Sequence, residues 1–315
     1  MKKRYRHLRD IDRNNIERWH EQGMSGRAIG RLIAVSHTTI NRELIRNSYT
    51  LNRYTGENAT VQSKKRRKRQ SFYKWDSVVE EIVLAKVKVK WSPEQISGWL
   101  KINLEIGISC ERIYQHIRND RKRGGSLYRS LRHNGKKYYK RMNKKAGKGC
   151  IPNRVDITER PNIIEEKTRI GDYEGDTIIG KGHKSAVLTV VDRHSKYLIA
   201  SKLPNCKATP TRKKLIKIFK KVAFYSLTVD NGKEFSEHEK ITAATGIPVY
   251  FAQPYHSWER GLNEHTNGLL RQYFPKGTDF NEVSEYQIQK AVTEINNRPR
   301  KILGFKSPAE VFKAA

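Results

Sequence analysis

The chain has 315 residues, and its 64 Lys and Arg against 32 Asp and Glu give a formal net charge of +32 and a pI of about 10.1. That balance points to a polyanionic partner, and the length suggests two or three domains. Three scattered cysteines (Cys110, Cys150, Cys206) with no CxxC pair exclude a zinc framework, and the absence of any long apolar run or secretory leader leaves a soluble, intracellular protein with no membrane partner.

The positive charge is uneven. Residues 1–150 carry 37 basic and 13 acidic side chains, whereas 151–315 carry 27 and 19. Attraction to phosphate is therefore concentrated in the first half. A protein that coats nucleic acid by charge alone does not fit the second half, which has the texture of a globular enzyme domain.

Residues 1–60 read as a helix-turn-helix domain. Asp12 can cap a helix carrying Ile16 and Trp19 that stops at Gly23, and Ser25 can cap a second with Ala28, Ile29, Leu32 and Ile33 on one side. After the Ala34-Val35 turn, Ser36 can cap a third, with Ile40 and Leu44 inward. The outer face of that third helix presents Thr38, Asn41, Arg42 and Arg46 to a major groove, where Asn and Arg can each make two hydrogen bonds to a base edge. Residues 61–75 contain the run Lys64-Lys65-Arg66-Arg67-Lys68-Arg69 and read as a basic linker, because like charges in a block resist folding alone.

Residues 76–118 repeat the helix-turn-helix logic. Ser92-Pro93-Glu94-Gln95 is a helix start with a hydroxyl cap, a proline in the first turn and a Gln three after the cap. Gly107 breaks the pattern and Ser109 restarts it, with Ile113 and Ile117 inward and Arg112, Gln115 and Arg118 outward. Residues 119–158, with Gly124-Gly125, Gly135, Gly147 and Gly149 among many Lys and Arg, read as a second basic linker.

From 159 to 315 the pattern is that of an α/β domain. Apolar runs at Tyr173–Ile179, Ala186–Val191 and Tyr197–Leu203 predict three consecutive strands. A helix over 211–221, a strand over 226–230, a helix over 236–244 and a strand over 247–251 follow. A long helix over 258–274 and two more, over 284–297 and 307–313, complete the domain. Three carboxylates stand out. Asp176 lies inside a strand, where aspartate is depleted. Asp230 ends the run Leu227-Thr228-Val229. Glu264 lies on the long helix, with Gly268 and Arg271 within roughly a quarter turn of it and Leu262, Leu269 and Tyr273 on the opposite side. Each has an ordinary structural explanation: Asp230-Asn231-Gly232 suits a turn, Glu264 a solvated helix face, and Asp176 a pair with a cation. Asp172 and Glu174 lie beside Asp176, and spacing alone does not choose among them.

The stretches GDYEGDTIIGKG (171–182), VDNGKEF (229–235), QPYHSWERGLNEHTNGLLRQYFPKG (253–277) and INNRPRKILGFKSPAEVF (295–312) resemble bacterial insertion-sequence transposases of the DDE class, in particular the insertion-sequence-30 family. The resemblance extends to the amino-terminal helix-turn-helix and so spans essentially the whole chain. It also parallels the retroviral-integrase pattern in which Pro254 leads, Gly261 follows seven residues later and Glu264 three after that. The resemblance implies a ribonuclease-H-like catalytic domain with a mixed five-stranded sheet. It implies Asp176, Asp230 and Glu264 as catalytic, metal-binding triad, choosing Asp176 over Asp172 and Glu174 and Glu264 over Glu259. It further implies Arg271 as a DNA contact, two Mg²⁺ ions for which Mn²⁺ can substitute, and double-stranded DNA (terminal inverted repeats and target) as partner. A homo-oligomer bridging two ends and a nucleoid-associated, cytoplasmic location in a bacterium complete the expectation.

The chemistry agrees with the residue types. Cleavage and joining of phosphodiesters are in-line displacements at phosphorus, which two hard divalent cations held by carboxylate oxygens can assist. The rival from another class is a non-catalytic DNA-binding regulator derived from such an enzyme; its signature would be loss of a carboxylate, and all three are present.

Overall fold

The computed structural model describes residues 6–49, 53–72, 75–133, 151–253 and 257–314. It contains two compact units, Met1–Glu81 and Ile82–Ala315. No helix among the described residues is long and apolar enough to cross a membrane.

The first unit opens with α1 (Asp10–Glu21), α2 (Gly26–Leu32) and α3 (His37–Asn47). Ser25 and Ser36 cap α2 and α3 as the sequence predicts, each hydroxyl accepting a backbone N–H of the first turn. Asp12 does not cap α1 from outside. It lies one turn in, accepting the Arg9 N–H at 2.8 Å and the Arg6 guanidinium at 2.6 Å, which hold its carboxyl at about 2 despite the opposing cost of burial. Ile16, Ile29 and Ile40, all fully buried, form the core with Tyr54 and Ala59. A two-residue antiparallel ladder, β1 (Ser48–Tyr49) with β2 (Arg53–Tyr54), leads into α4 (Gly56–Phe72).

α4 corrects the expected linker over 61–75: most of that basic run is helix. Lys and Arg are good helix formers, and like-charge neighbours cost only tenths of a kcal/mol each. Anchoring supplies the rest. Ala59 is buried in the core, the Gly56 N–H donates to the Glu17 carboxylate at 2.8 Å, Lys64 reaches Asp10 at 3.0 Å and Arg66 reaches Asn47 at 2.5 Å.

α5 (Ser77–Lys88), which the sequence pattern did not single out, spans the division between the units. In the second unit, α6 (Pro93–Asn103) starts with the predicted capping box, Ser92 and Gln95 bonding each other's backbone N–H. α7 (Cys110–Lys122) starts at the Ser109 cap and continues past the expected end at 118. These helices share one compact unit with the sheet that follows. Lys301 bonds Glu94 at 2.8 Å, and the Phe305 ring lies flush on α6 at Gly98, where an added Cβ would come within 2.1 Å of it.

Among the described residues the sheet has six strands, not five. β3 (Val155–Asp156) lies at the edge, parallel to β8, inside the segment read as a linker. Two residues are too short for any alternation to register in sequence. Gly135, Gly147 and Gly149 of that expected linker lie outside the described residues. After α8 (Asn162–Glu166) come β4 (Asp172–Ile179), β5 (Ala186–Asp192) and β6 (Leu198–Leu203), antiparallel in sequence, then α9 (Ala208–Phe219), β7 (Ser226–Val229), α10 (His238–Thr245) and β8 (Val249–Phe251). β7 runs parallel to β4 and β8 parallel to β7, giving the order β3-β8-β7-β4-β5-β6. α11 (Gly261–Leu270), α12 (Glu285–Asn296) and α13 (Pro308–Lys313) end the chain.

Period-2 alternation sorts the sheet into two cores. Tyr173, Leu188, Val190, Leu227 and Phe251 pack with Leu215, Ile218 and Ile241 of α9 and α10. Ile178, Val187, Val191 and Leu198 pack with Leu269, Leu270, Ile288 and Ile295 of α11 and α12. α11 is shorter than predicted because a 3₁₀ turn, Ser257–Arg260, precedes it and Arg271 ends it.

The Gly98–Phe305 contact admits no side chain. Gly98→Ala should destabilise the protein by about 1–3 kcal/mol through overpacking; an unchanged chemical-denaturation midpoint would contradict this account of how α6 is held.

Candidate active site

On β4, Asp172, Glu174 and Asp176 alternate with Tyr173, Gly175 and Thr177, so all three carboxylates share the face that α11 covers. Their surroundings separate them. Asp172 is fully buried, bonded to Arg169 at 2.7 Å and to the Ser226 hydroxyl at 2.6 Å. Glu174 is buried as well; it accepts the Asn263 N–H at 3.2 Å and pairs with the buried Arg193 at 3.5 Å. Burial nevertheless pushes its carboxyl above the usual range, against the pull of Arg193. Asp176, nearest the strand's end, opens onto a groove with 21% of its side chain exposed.

α11 is registered on β4 by two asparagines one turn apart. Asn263 meets Glu174 through its backbone, and the Asn267 amide donates to Asp176 at 2.8 Å. Thr189, opposite Asp176 on β5, lies 3.0 Å from the Asn267 amide oxygen and fixes which end of the amide faces Asp176.

Asp230 follows β7, the strand beside β4, and its carboxylate accepts the Gly232 N–H at 3.0 Å. Gly232 lets the carboxylates of Glu234 and Asp230 approach closely, since a Cβ there would lie 2.5 Å from the first and 2.8 Å from the second unless they shifted. Arg260, just before α11, joins the two aspartates: its guanidinium is 3.2 Å from Asp230, 3.9 Å from Asp176 and 3.3 Å from the Gly175 carbonyl. Glu264 is exposed in the first turn of α11 and lines the same open groove, of about 700 Å³, as Asp176, Arg260, Asn267 and Arg271.

Among the described residues, no three His, Cys, Asp or Glu side chains stand close enough together to hold one metal ion. The donor set still suits a hard divalent cation, since it is made of carboxylate oxygens without sulfur. A cationic guanidinium already bridges Asp176 and Asp230, so the position between them favours positive charge.

Arg260, Asn267 and Glu234 (bonded to the Thr177 hydroxyl at 2.6 Å) were missed in the sequence reading. Asn267 was within reach of it, being three residues after Glu264 on a neighbouring helix position. Arg260 was not, because a cation is never sought as a metal ligand. Arg271 lies in the groove, yet its guanidinium is engaged by the Ile179 and Pro275 carbonyls at 2.9 and 3.4 Å. Pro254, the first residue of the integrase-like pattern, lies outside the described residues.

In the first unit, Thr38, Asn41, Arg42 and Arg46 are all exposed on α3. Arg42 and Arg46 also line a cleft with Arg6, Arg13 and Arg66. On α7, Gln115 is exposed and Arg112 half-buried, while Arg118 is paired with Glu111.

Residues 4–47 match a family described as a helix-turn-helix domain, and residues 169–257 match the integrase core domain. The chain is 43% identical to the transposase for insertion sequence element IS4351 of Bacteroides fragilis, over 98% of this chain and 96% of that one. It is 34% identical to the transposase InsI for insertion sequence element IS30A of Escherichia coli (strain K12), over 98% of this chain and 83% of that one. The solved catalytic core domain of BIV integrase covers 45% of this chain and 93% of its own, at 20% identity and a TM-score of 0.38. The architecture is a helix-turn-helix domain joined to an integrase-type, ribonuclease-H-like core.

Burial pushes the Asp176 carboxyl up to about 6, with Asp230 adding and Arg260 opposing. The folded chain therefore holds this proton more tightly than the unfolded chain, and the carboxyl's contribution to stability falls as pH rises from about 4 to 6. In EDTA, Asp176→Asn should be more stable than the parent at pH 7 by at most about 3 kcal/mol, with the gain vanishing near pH 4. Denaturant midpoints at the two pH values check this; an equal difference at both would refute it.

Proposed function

We propose, starting from the fact that the chain belongs to the family of insertion-sequence transposases, that it binds the terminal inverted repeats of its own element and cuts and joins DNA at Asp176, Asp230 and Glu264. The observation that carries this reading is the meeting of Asp176 and Asp230, far apart in sequence, on one guanidinium at a groove that Glu264 also lines.

Asp176, Asp230 and Glu264 would hold two divalent cations, Mg²⁺ by hardness with Mn²⁺ as substitute; when bound, these supply Lewis-acid activation of the attacking oxygen and charge neutralisation at the leaving one. The chain's own residues do the rest. The β4–β7 pairing brings Asp176 on β4 and Asp230, just past β7, to neighbouring positions, and the Asn267 amide holds one oxygen of the Asp176 carboxylate. Arg260 keeps the aspartates together and offsets their mutual repulsion. A water attacking phosphorus in line would release a 3′-hydroxyl. That hydroxyl, positioned in the same groove, would attack a second phosphate and join the strands, expelling the 3′-oxygen of the attacked strand as a new 3′-hydroxyl, with no covalent protein–DNA intermediate.

Double-stranded DNA is the partner on this reading, with base contacts from Thr38, Asn41, Arg42 and Arg46 on α3. Gln115 on α7 contributes further contacts, as do Arg112, Arg118 and Arg271 where their present bonds yield to phosphate. Joining two element ends requires both to be held at once, for which a homo-oligomer is the simplest assembly.

Incubating the chain with its element's end DNA and Mg²⁺ should give nicked and joined products, and EDTA should suppress both. Asp176→Asn, Asp230→Asn and Glu264→Gln should each lower cutting by on the order of 100–1,000-fold or more while leaving end binding intact; a fully active variant removes that residue from the site. Asn41→Ala or Arg42→Ala should weaken binding to the element end by about 1–3 kcal/mol relative to unrelated duplex. Equal losses on both DNAs would assign α3 to the backbone instead of the bases.

A further inference from the structure

Beside the catalytic groove lies a second pocket, of about 370 Å³, between the start of α6, the 130–132 segment, α11 and the 298–305 turn. Its lining carries five cations, Lys90, Arg132, Arg298, Arg300 and Lys301, against one carboxylate, Glu94, which is already bonded to Lys301. Two of the arginines are buried: Arg298 is 1% and Arg300 8% exposed. Arg298 donates to Gln272 at 2.8 Å and to the Tyr273 hydroxyl at 2.5 Å, yet its Nε has no partner among the described residues. Arg300 donates to the Ile295 carbonyl at 3.2 Å through one nitrogen, while its Nε and Nη1 have none. Lys90 stands over the Tyr273 ring at 3.6 Å and donates to the Gln272 carbonyl at 3.3 Å. The nearby carboxylate of Glu294 is taken up by the Tyr273 hydroxyl at 2.8 Å.

Buried guanidinium N–H groups without acceptors are costly, and so is crowding cations away from water. Both effects are visible. Burial pushes Arg300 down to about 10, with Arg298 and Arg132 adding. An anion with several acceptor oxygens would relieve all of these at once, and the guanidinium fork is matched to phosphate. Arg132 and His265 line this pocket and the catalytic groove alike, so the two open onto the same surface. Gly268 lets the Arg132 guanidinium lie close against α11, where a Cβ would come within 2.2 Å of it.

We propose that this pocket receives a backbone phosphate of the DNA lying in the catalytic groove, with the guanidinium groups of Arg300 and Arg298 and the ammonium of Lys90 as its donors. The proposal rests on reading the groove as the DNA-cutting site. It assigns the Arg298-Pro299-Arg300-Lys301 turn a task in holding DNA a short way from the phosphate being cut, independent of base sequence.

The test uses the full chain in EDTA with a fluorescent duplex of unrelated sequence, measuring affinity across a KCl series for the parent, Arg300→Gln and Lys90→Gln. Each variant should bind about tenfold more weakly at a given salt, with a log K against log salt slope shallower by about 1. Should Arg300→Gln not fold, as judged by circular dichroism, Lys90→Gln carries the test, since Lys90 is only half-buried. Parental affinity and slope in folded variants would overturn the proposal. So would a melting temperature raised by inorganic phosphate in the parent but not the variants, with DNA slopes unchanged, since the pocket would then serve free phosphate. Because binding is read without metal, these outcomes are independent of the triad: variants that bind as the parent does and still cut would refute the pocket alone.

Discussion

A carboxylate on the covered face of a strand has to be matched by a cation or a hydrogen-bond donor, and β4 carries three in five residues. Arg169 and Ser226 match Asp172, Arg193 and the Asn263 N–H match Glu174, and Arg260 with Asn267 matches Asp176. The partners come from the segment just before β4, from the 3₁₀ turn before α11, from α11 itself, from the neighbouring strand and from the β5–β6 turn. Neutralising one strand therefore fixes the position of most of what surrounds the groove. The gradient along β4, from fully buried Asp172 to the part-exposed Asp176, leaves only the last carboxylate facing solvent.

That arrangement ties stability to chemistry. Asp176 is held partly out of water with a carboxyl near 6, and a second aspartate is placed beside it through Arg260. Charge of this kind disfavours the empty site and favours an incoming cation. The excess of positive charge would serve the opposite end of the proposed reaction. On α3 it faces outward on exposed Arg42 and Arg46, and around the 298–301 turn it is buried. On the proposed function, one distribution would attract a polyanion from a distance and the other would hold it at short range.

Much of the fold was legible because it rests on local rules. Ser25, Ser36, Ser92 and Ser109 cap the helices they were expected to cap, and the strands at 172–179, 186–192 and 198–203 follow apolar runs. What was not legible depends on partners distant in sequence. α4 is a helix because Glu17, Asp10 and Asn47 receive it, and β3 is a strand because β8 offers it a partner. The second helical unit joins the sheet domain through Gly98 and Phe305, two residues whose meeting no periodicity announces. At the site, spacing left Asp172, Glu174 and Asp176 equivalent, and only the family resemblance chose among them. The structure separates them by burial and partners. Arg260 was invisible in sequence because its role is to neutralise carboxylates rather than to resemble a ligand.

The central claim is that Asp176, Asp230 and Glu264 form one cation site. Anomalous diffraction from crystals of the full chain soaked in Mn²⁺ tests it most directly. The account predicts Mn²⁺ density between the Asp176 and Asp230 carboxylates, with Arg260 displaced from its bridging position and the Glu264 carboxylate turned toward the ion. Mn²⁺ bound only elsewhere, with Arg260 still bridging the two aspartates, would contradict it.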